Sequence, residues 1–369
     1  MRAAVRLGTV RVVELRDERE GLDAFVVIDH QQFPVSAGGT RMLPDVDVQE
    51  VARLARAMTW KFAACRVPYA GAKAGIRFAA GDRDAVLAAY QRALEPYRDV
   101  FLTGPDMGTS PADFLDGRED PVPLWAQTYE GLGMDDLATG HGVKAAAEAG
   151  LMHRGRSLEG AGVAIEGFGK VGAGTARACQ RAGARVVAVS TVHGLLADSD
   201  GLDVEELLAL REGHGDRLVE LGPRPTRPRE ELFELDCDVL VPGARPDSVT
   251  PGLAERMRCA VVAPGANIPY AAGAVDVLHA RGIVAVPDFI SNSGGVHLYE
   301  SVGQDDPPAA ALAAIEAVVR ESVARTLATS DALGVTPFAA AVREARDYLA
   351  EETAAPRRLL DELFPASDA

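Results

Sequence analysis

The chain has 369 residues, enough for two domains, and 47% of them are apolar, so buried cores are affordable in material terms. A formal net charge of -16 argues against nucleic acid, whose backbone requires a basic face. No apolar run is long enough to span a bilayer, the first residues lack the apolar stretch of a secretion signal, and Cys65, Cys179, Cys237 and Cys259 form no CxxC pair. A cytoplasmic protein is therefore expected, with no membrane partner, no metal site, and cysteines that serve as small buried hydrophobes.

In chain order, residues 1–35 read as a meander, with strands over 10–15 and 24–29. Residues 38–41 read as a turn or bulge. Helical spacing runs over 48–65, with Asp47 as its cap. Residues 67–76 hold two Gly and three Ala and read as a loop rather than a helix. A helix follows over 83–97, then a short strand over 100–103. Residues 136–143 open a helix over 142–153, and the domain junction is placed at 138. Strands at 161–166, 185–190, 239–241, 260–263 and 283–286 alternate with helices, which predicts a parallel, doubly wound sheet. After Pro307 the chain is Ala-rich and helical to its end.

Of the 38 basic residues only four are Lys: Lys61, Lys73, Lys144 and Lys170. All four fall in segments rich in small residues rather than on charged helix faces. A lysine, unlike an arginine, can give up its proton when buried.

Residues 162–172 read Gly-Val-Ala-Ile-Glu-Gly-Phe-Gly-Lys-Val-Gly, a GxGxxG turn between a strand and a helix. Gly167 permits the tight turn, Gly169 lets backbone approach a pyrophosphate, and Gly172 lets helix and strand pack closely. Phe168, Lys170 and Val171 complete the turn. Ser190-Thr191-Val192-His193 stands where an acid usually binds the ribose 2′-hydroxyl. Thr191 can bond a hydroxyl but repels no phosphate, so NAD is the expected cofactor and NADP stays open.

Lys61 and Lys73 are twelve residues apart. Two ammonium groups sharing one cleft depress each other's pKa, so one can act as a base while the other binds a carboxylate. Asp106, in a Gly-Pro-Asp turn, can relay a proton. On residue types alone, two surface lysines and a turn aspartate are an equal reading.

Eight stretches resemble the glutamate/leucine/phenylalanine/valine dehydrogenase superfamily, in that family's order and over residues 36–300. The first four are Gly38-Gly39-Thr40-Arg41-Met42, Ala57-Met58-Thr59-Trp60-Lys61, Gly71-Ala72-Lys73-Ala74-Gly75-Ile76 and Pro105-Asp106-Met107-Gly108-Thr109. They are followed by Ala138-Thr139-Gly140-His141-Gly142-Val143, the Gly167–Gly172 turn, Pro264-Gly265-Ala266-Asn267 and the run from Pro287 to Val296. The resemblance implies that Lys61 holds the substrate α-carboxylate, Lys73 is the base that activates water, and Asp106 moves protons to and from the amine. It places Gly39 and Asn267 on the substrate and Thr139 and Asn292 beside the nicotinamide, with Asn267 also counted among the cofactor contacts. Gly243 and Ala244 join the cofactor set, and Ala37, Gly104, Val296 and Tyr299 line the side-chain pocket.

Two departures bear on the substrate. Ala37 and Tyr299 stand where the resemblance implies a Lys and a Ser for the γ-carboxylate of glutamate. A carboxylate buried there without partners is costly, so an apolar leucine-, valine- or phenylalanine-type amino acid is the first expectation and glutamate the alternative. Arg41 and Arg77 threaten that argument, since either can pair with an acidic side chain. A catalytically silent nucleotide-binding regulator would be expected to have lost Lys73 or Asp106. A 2-hydroxy-acid dehydrogenase would want a His/Arg pair, for which His141 is the nearest candidate.

The expected fold is α/β. A substrate-binding and oligomerisation domain spans 1–138 and a Rossmann-like domain 139–330, with the active-site cleft between them. C-terminal helices over 331–369 return toward the first domain. The partners are an amino acid or 2-oxo acid, ammonia, and further copies of the chain in a homo-oligomer.

Overall fold

A computed structural model describes residues 5–7, 10–29, 33–115 and 122–351. By its contacts the chain divides into two compact units, Met1–Pro121 with Ala345–Ala369, and Val122–Glu344. No helix among the described residues is long and apolar enough to cross a membrane.

The first unit is a mixed sheet between helices. Strands β1 (Val5–Leu7), β2 (Val10–Asp17) and β3 (Leu22–Ile28) form the antiparallel meander. β4 (Ser36–Ala37) and β5 (Thr40–Leu43) follow, then helix α1 (Val48–Ala64), strand β6 (Ala70–Arg77), helix α2 (Arg83–Leu94) and strand β7 (Phe101–Leu102). The sheet order is β1-β2-β3-β6-β4-β7, with β5 also pairing β6. Asp47 caps α1 by accepting the Glu50 N–H at 2.7 Å. Residues alternate between the two faces. Val13, Val26, Ala72 and Ala74 pack with Val86, Leu87 and Tyr90 of α2. Val12, Phe25 and Val27 pack with Val51 and Ala55 of α1.

Three expectations are corrected here. Residues 70–77 are not a loop but β6, which pairs with β3, β4 and β5. Its glycines mark close packing: a Cβ at Gly71 would lie 2.2 Å from Thr59 N on α1, and one at Gly75 would lie 2.7 Å from the Phe25 ring. The predicted turn at 38–41 is the passage from β4 into β5. The predicted helix over 83–97 is α-helical only to Leu94, and its last turn, Glu95–Tyr97, is 3-10 and contains Pro96.

The second unit opens with a hairpin, β8 (Thr128–Tyr129) and β9 (Leu132–Gly133), followed by α3 (Met134–His153). Residue 138, the expected junction, therefore lies inside a helix that starts eight residues before 142 (142 − 134). Gly140 and Gly142 read as a break, yet they sit within α3 because other backbones touch it there. A Cβ at Gly140 would lie 2.5 Å from Gly174 C, and one at Gly142 would lie 3.2 Å from Gly294 N.

Next come β10 (Gly162–Glu166), α4 (Lys170–Arg181), β11 (Arg185–Thr191), β12 (Gly194–Ala197), α5 (Val204–His214) and α6 (Leu218–Leu221). β13 (Val239–Val241), α7 (Pro251–Ala254), β14 (Val261–Val262), α8 (Ala274–Ala280) and β15 (Val284–Ala285) complete the sheet. Its order is β12-β11-β10-β13-β14-β15, parallel except for β12. That is the doubly wound dinucleotide order with its third strand reversed, and the strand order switches between β10 and β13. Short helices α9 (Asp288–Ser291) and α10 (Gly294–Glu300) lead to α11 (Pro308–Leu333) and α12 (Pro337–Glu351). Ala345 and Tyr348 of α12 pack with Phe33, Ala63 and Ala70 of the first unit's core. The predicted continuation of the helix beyond 351 lies outside the described residues. Of the cysteines only Cys179 is fully buried; Cys65, Cys237 and Cys259 are half-buried.

Candidate active site

In the first unit, β6 carries Lys73 on the face that α1 covers, since Lys73 shares the parity of Gly71 and Gly75 and pairs with Val27. Lys61 lies on α1, in its last turn. Both lysines are buried, at 5% and 7% exposure, so neither is a surface lysine. Lys73 Nζ lies 3.1 Å from Asp106 Oδ2. The same oxygen accepts a hydrogen bond from Arg41 Nε at 3.0 Å. Arg41 reaches on to Glu50 with its other arm.

Burial would raise the Asp106 pKa, but Lys73 and Arg41 together outweigh it and hold the carboxyl at about 2. Asp106 is therefore ionised throughout the neutral range. Thr109 orients its turn, accepting the Asp106 N–H at 2.8 Å and donating to Thr40 O at 2.9 Å.

Gly39 closes this group. A Cβ there would lie 3.2 Å from Lys73 Nζ, 3.1 Å from Asp106 Cβ and 2.7 Å from Pro105 O. The Gly39 carbonyl accepts the Ala74 N–H, which locks the strand that carries Lys73. We expect Gly39→Ala to lower kcat/KM by about 100-fold, because displacing a reacting group by an ångström costs that much. Steady-state kinetics on folded variant would check it, and wild-type kcat/KM would remove Gly39 from the site. Ala37 is buried on β4 between Gly71 and Leu102, and the Gly104 carbonyl accepts the Thr40 N–H. Arg77 is paired with Asp23 and lies over the Phe25 ring.

The second unit assembles the nucleotide elements at the strand switch. Gly167 has φ +83° and begins the turn after β10. Gly172 packs so closely that its Cβ would lie 1.9 Å from Gly167 O. Gly169 is different: a Cβ there would meet nothing within 4 Å, which leaves the open approach that a pyrophosphate needs. No side chain caps the first turn of α4, so its N–H groups remain available to an anion. These features fit a dinucleotide. Phe168 is buried beneath the turn, Lys170 begins α4, and Val171 lies against Gly265.

Gly243 and Ala244 are brought onto the same turn from β13. Gly243 O would lie 3.3 Å from a Cβ at Gly167, and Ala244 N donates to Glu166 Oε2. Asn292 Nδ2 donates to Ala266 O at 3.0 Å and to Asn267 Oδ1 at 3.1 Å, so the 264–267 and 287–296 segments meet. Thr139 lies beside Gly295.

Thr191 is placed at the end of β11 as expected, but its hydroxyl faces inward. It donates to Asp216 O at 2.7 Å and accepts the His193 N–H at 3.1 Å. The reading of Thr191 as a ribose ligand is thereby weakened, and the first outward side chain at this strand end is Val192, 61% exposed. His141 Nδ1 is 2.6 Å from Glu316, which also binds Lys144 at 2.6 Å, so the nearest candidate for a hydroxy-acid histidine is spent in a helix-to-helix network.

Trp125 and Glu166 were not singled out from the sequence. Trp125 stacks on Tyr299, with centroids 5.5 Å apart, and no local pattern marks it. Val296 and Tyr299 share one face of α10, at spacing i, i+3.

Two family models match the chain. One is glutamate/leucine/phenylalanine/valine dehydrogenase, over residues 131–301, and the other is the Glu/Leu/Phe/Val dehydrogenase dimerisation domain, over residues 7–115. The chain is 34% identical over 279 residues to glutamate dehydrogenase A2 of Halobacterium salinarum, covering 70% of this chain and 66% of that one. It is 32% identical over 277 residues to the NADP-specific glutamate dehydrogenase of Saccharolobus shibatae, covering 70% and 65%. It is 34% identical over 277 residues to the NAD-specific glutamate dehydrogenase of Staphylococcus aureus, covering 70% and 66%. These matches span just under two thirds of the relatives' own length. Among solved structures, the hetero-hexameric glutamate dehydrogenase from Thermus thermophilus in its Leu-bound form has a TM-score of 0.78 at 27% identity, covering 93% of this chain and 88% of that one.

Proposed function

Since the chain belongs to the glutamate/leucine/phenylalanine/valine dehydrogenase family, we propose that it interconverts an L-amino acid with its 2-oxo acid and ammonia, using NAD or NADP. The observation that carries this reading is the 3.1 Å contact between Lys73 Nζ and Asp106 Oδ2 against the Cα of Gly39. A buried amine beside a buried carboxylate, with no side chain in the way, suits proton transfer at a carbon that passes through an iminium. In this scheme Lys73 is the base that activates water, Asp106 accepts and returns the proton of the amine, and Lys61 binds the α-carboxylate. A bound nicotinamide would supply the hydride chemistry. Gly167–Gly172, Gly243 and Ala244 would hold its phosphates and ribose, and Thr139 and Asn292 its ring. Asn267 would serve substrate and cofactor together.

For the substrate side chain, the relatives support glutamate better than an apolar amino acid, since the curated proteins described above are named glutamate dehydrogenases. The apolar reading rests on a specific observation. Ala37 offers only a methyl, and the two arginines that threatened it are committed, Arg41 to Asp106 and Glu50, Arg77 to Asp23. On that reading kcat/KM for the best apolar substrate exceeds that for glutamate by about 100-fold, roughly 2.7 kcal/mol. Reductive amination of 2-oxoglutarate and of the oxo acids of leucine, valine and phenylalanine, followed with NADH and NADPH separately, decides between them. No turnover with any oxo acid, despite cofactor binding, would replace the enzyme by the silent regulator.

The end of β11 leads to a second expected result. Residues 190–193 carry no carboxylate of their own to repel a 2′-phosphate, and the Glu220 carboxylate lies 3.9 Å from the His193 ring. Val192→Asp should lower kcat/KM with NADPH relative to NADH by about tenfold or more, because two like charges at this strand end repel. An unchanged ratio would place the ribose elsewhere. We further propose that the active form is a homo-oligomer, which light scattering on the purified chain tests directly.

A further inference from the structure

Five arginines gather at the end of the second unit's sheet opposite the glycine-rich turn. Arg154 caps the C-terminus of α3, Arg156 precedes β10 and Arg185 begins β11. Arg258 precedes β14, and Arg281 follows α8 and precedes β15. All five line one cavity of about 590 Å³. The parallel strands start at this cavity and end at the nucleotide turn, so the two places are separated by the length of the sheet.

The charges around this cavity do not cancel. Two carboxylates line it: Asp238 pairs with Arg156, and Asp236 lies 3.4 Å from Arg258. Among the described residues no carboxylate pairs with Arg154, Arg185 or Arg281. Main-chain carbonyls hold two of these three instead. Arg185 donates to Gly160 O and Ser199 O, and Arg281 donates to Ala254 O. A carbonyl fixes the plane of a guanidinium without neutralising it, and each guanidinium has five N–H donors, most of which stay available. Three uncompensated positive charges around one cavity run against a chain whose net charge is -16.

The plainer reading is that these arginines cap backbone. It accounts for Arg154 and Arg281, which stand at helix C-termini where a cation is favourable. It also covers the two carbonyl bonds of Arg185, but it does not account for the convergence of all five on one cavity.

We propose that this cavity binds a small, multiply charged anion of the oligophosphate class. Planar guanidinium forks match phosphate oxygens two at a time, and a cavity of this volume is in the range of small-molecule sites. This proposal stands independently of the dehydrogenase reading.

Sodium tripolyphosphate is the probe. It is titrated calorimetrically into the intact chain at saturating NADH or NADPH, so that the glycine-rich turn is already filled. Sodium chloride at matched ionic strength is the control. One equivalent per chain should bind and raise the melting temperature, as any ligand selective for the folded state does. Arg154→Glu, at an exposed position with no side-chain partner to lose, should weaken binding by about tenfold or more. Arg185→Gln with Arg281→Gln should weaken it further. Absence of saturable binding with the cofactor present overturns the proposal. So does an equal effect of sodium chloride, or wild-type affinity in Arg154→Glu and in the double variant alike.

Discussion

Replacing Lys73 by alanine is expected to lower kcat by about 1,000-fold or more, while NADH or NADPH still binds within about twofold of wild type. The amine sits 3.1 Å from Asp106 at the one point where Gly39 leaves the backbone bare. Truncation removes the base proposed to activate water and leaves solvent in its place. The nucleotide elements are assembled wholly from residues of the second unit, so their affinity should not follow. Lys73→Arg separates charge from base chemistry. It keeps a cation beside Asp106 but cannot give up its proton, so it should be as inactive as the alanine variant. Lys61→Ala should differ in kind, raising KM for the oxo acid more than it lowers kcat, because a carboxylate ligand acts in ground and transition states alike. Steady-state kinetics with a fluorescence titration of the cofactor separate these outcomes. Wild-type kcat in Lys73→Ala would end the proposed mechanism.

The parts that could be read in advance are those whose causes are local. The glycine-rich turn is defined by spacing within six residues, and Asp47 caps its helix through a residue three positions away. The alternation of strand and helix after residue 160 needs no distant partner either. Failures came where the cause is remote. Gly71 and Gly75 look like loop residues until Thr59 and Phe25 are seen to press on them from other elements. Gly140 and Gly142 look like a helix boundary until α4 and α10 are seen crossing at those positions. In each case a residue with weak strand or helix propensity is kept because nothing larger fits, and tertiary contact overrides the local preference.

The chemistry divides along the same line. Lys73 and Asp106 stood out through their motifs and lie together in the structure, while Lys61 is found buried on α1 and its carboxylate-binding role is a proposal. Arg41 was noted only as a hazard, because its bond to Asp106 joins residues 65 positions apart. Thr191 was read as facing a ribose, and the turn that takes its hydroxyl lies 25 residues downstream. Trp125 had no signal at all, since its partner Tyr299 is found only in space.

Asp106→Asn should cost both stability and turnover, and the physics of the two losses is shared. One carboxylate oxygen serves two cations, Arg41 at 3.0 Å and Lys73 at 3.1 Å, in a place where both side chains are about 7% exposed. Asparagine preserves the shape and one acceptor but removes the charge. Leaving buried cations without their counter-ion typically destabilises by about 3–5 kcal/mol. Part of that is softened here, because Glu50 still holds the far arm of Arg41 and is itself more exposed. The pH dependence has a definite sign. The folded pKa of about 2 is below that of an unfolded aspartate, about 3.9, so the group's contribution is complete above pH 4 and disappears as pH falls toward 2. The variant should therefore be less stable than wild type at neutral pH and approach it in acid. Turnover should fall by about 100-fold or more, since the acceptor for the amine proton is gone. Denaturant melts at several pH values, paired with kcat at neutral pH, give both readouts. A gap in stability that stays constant from pH 7 to pH 2 would show that the carboxylate's charge does not organise this site, and undiminished kcat would show that its proton does not move.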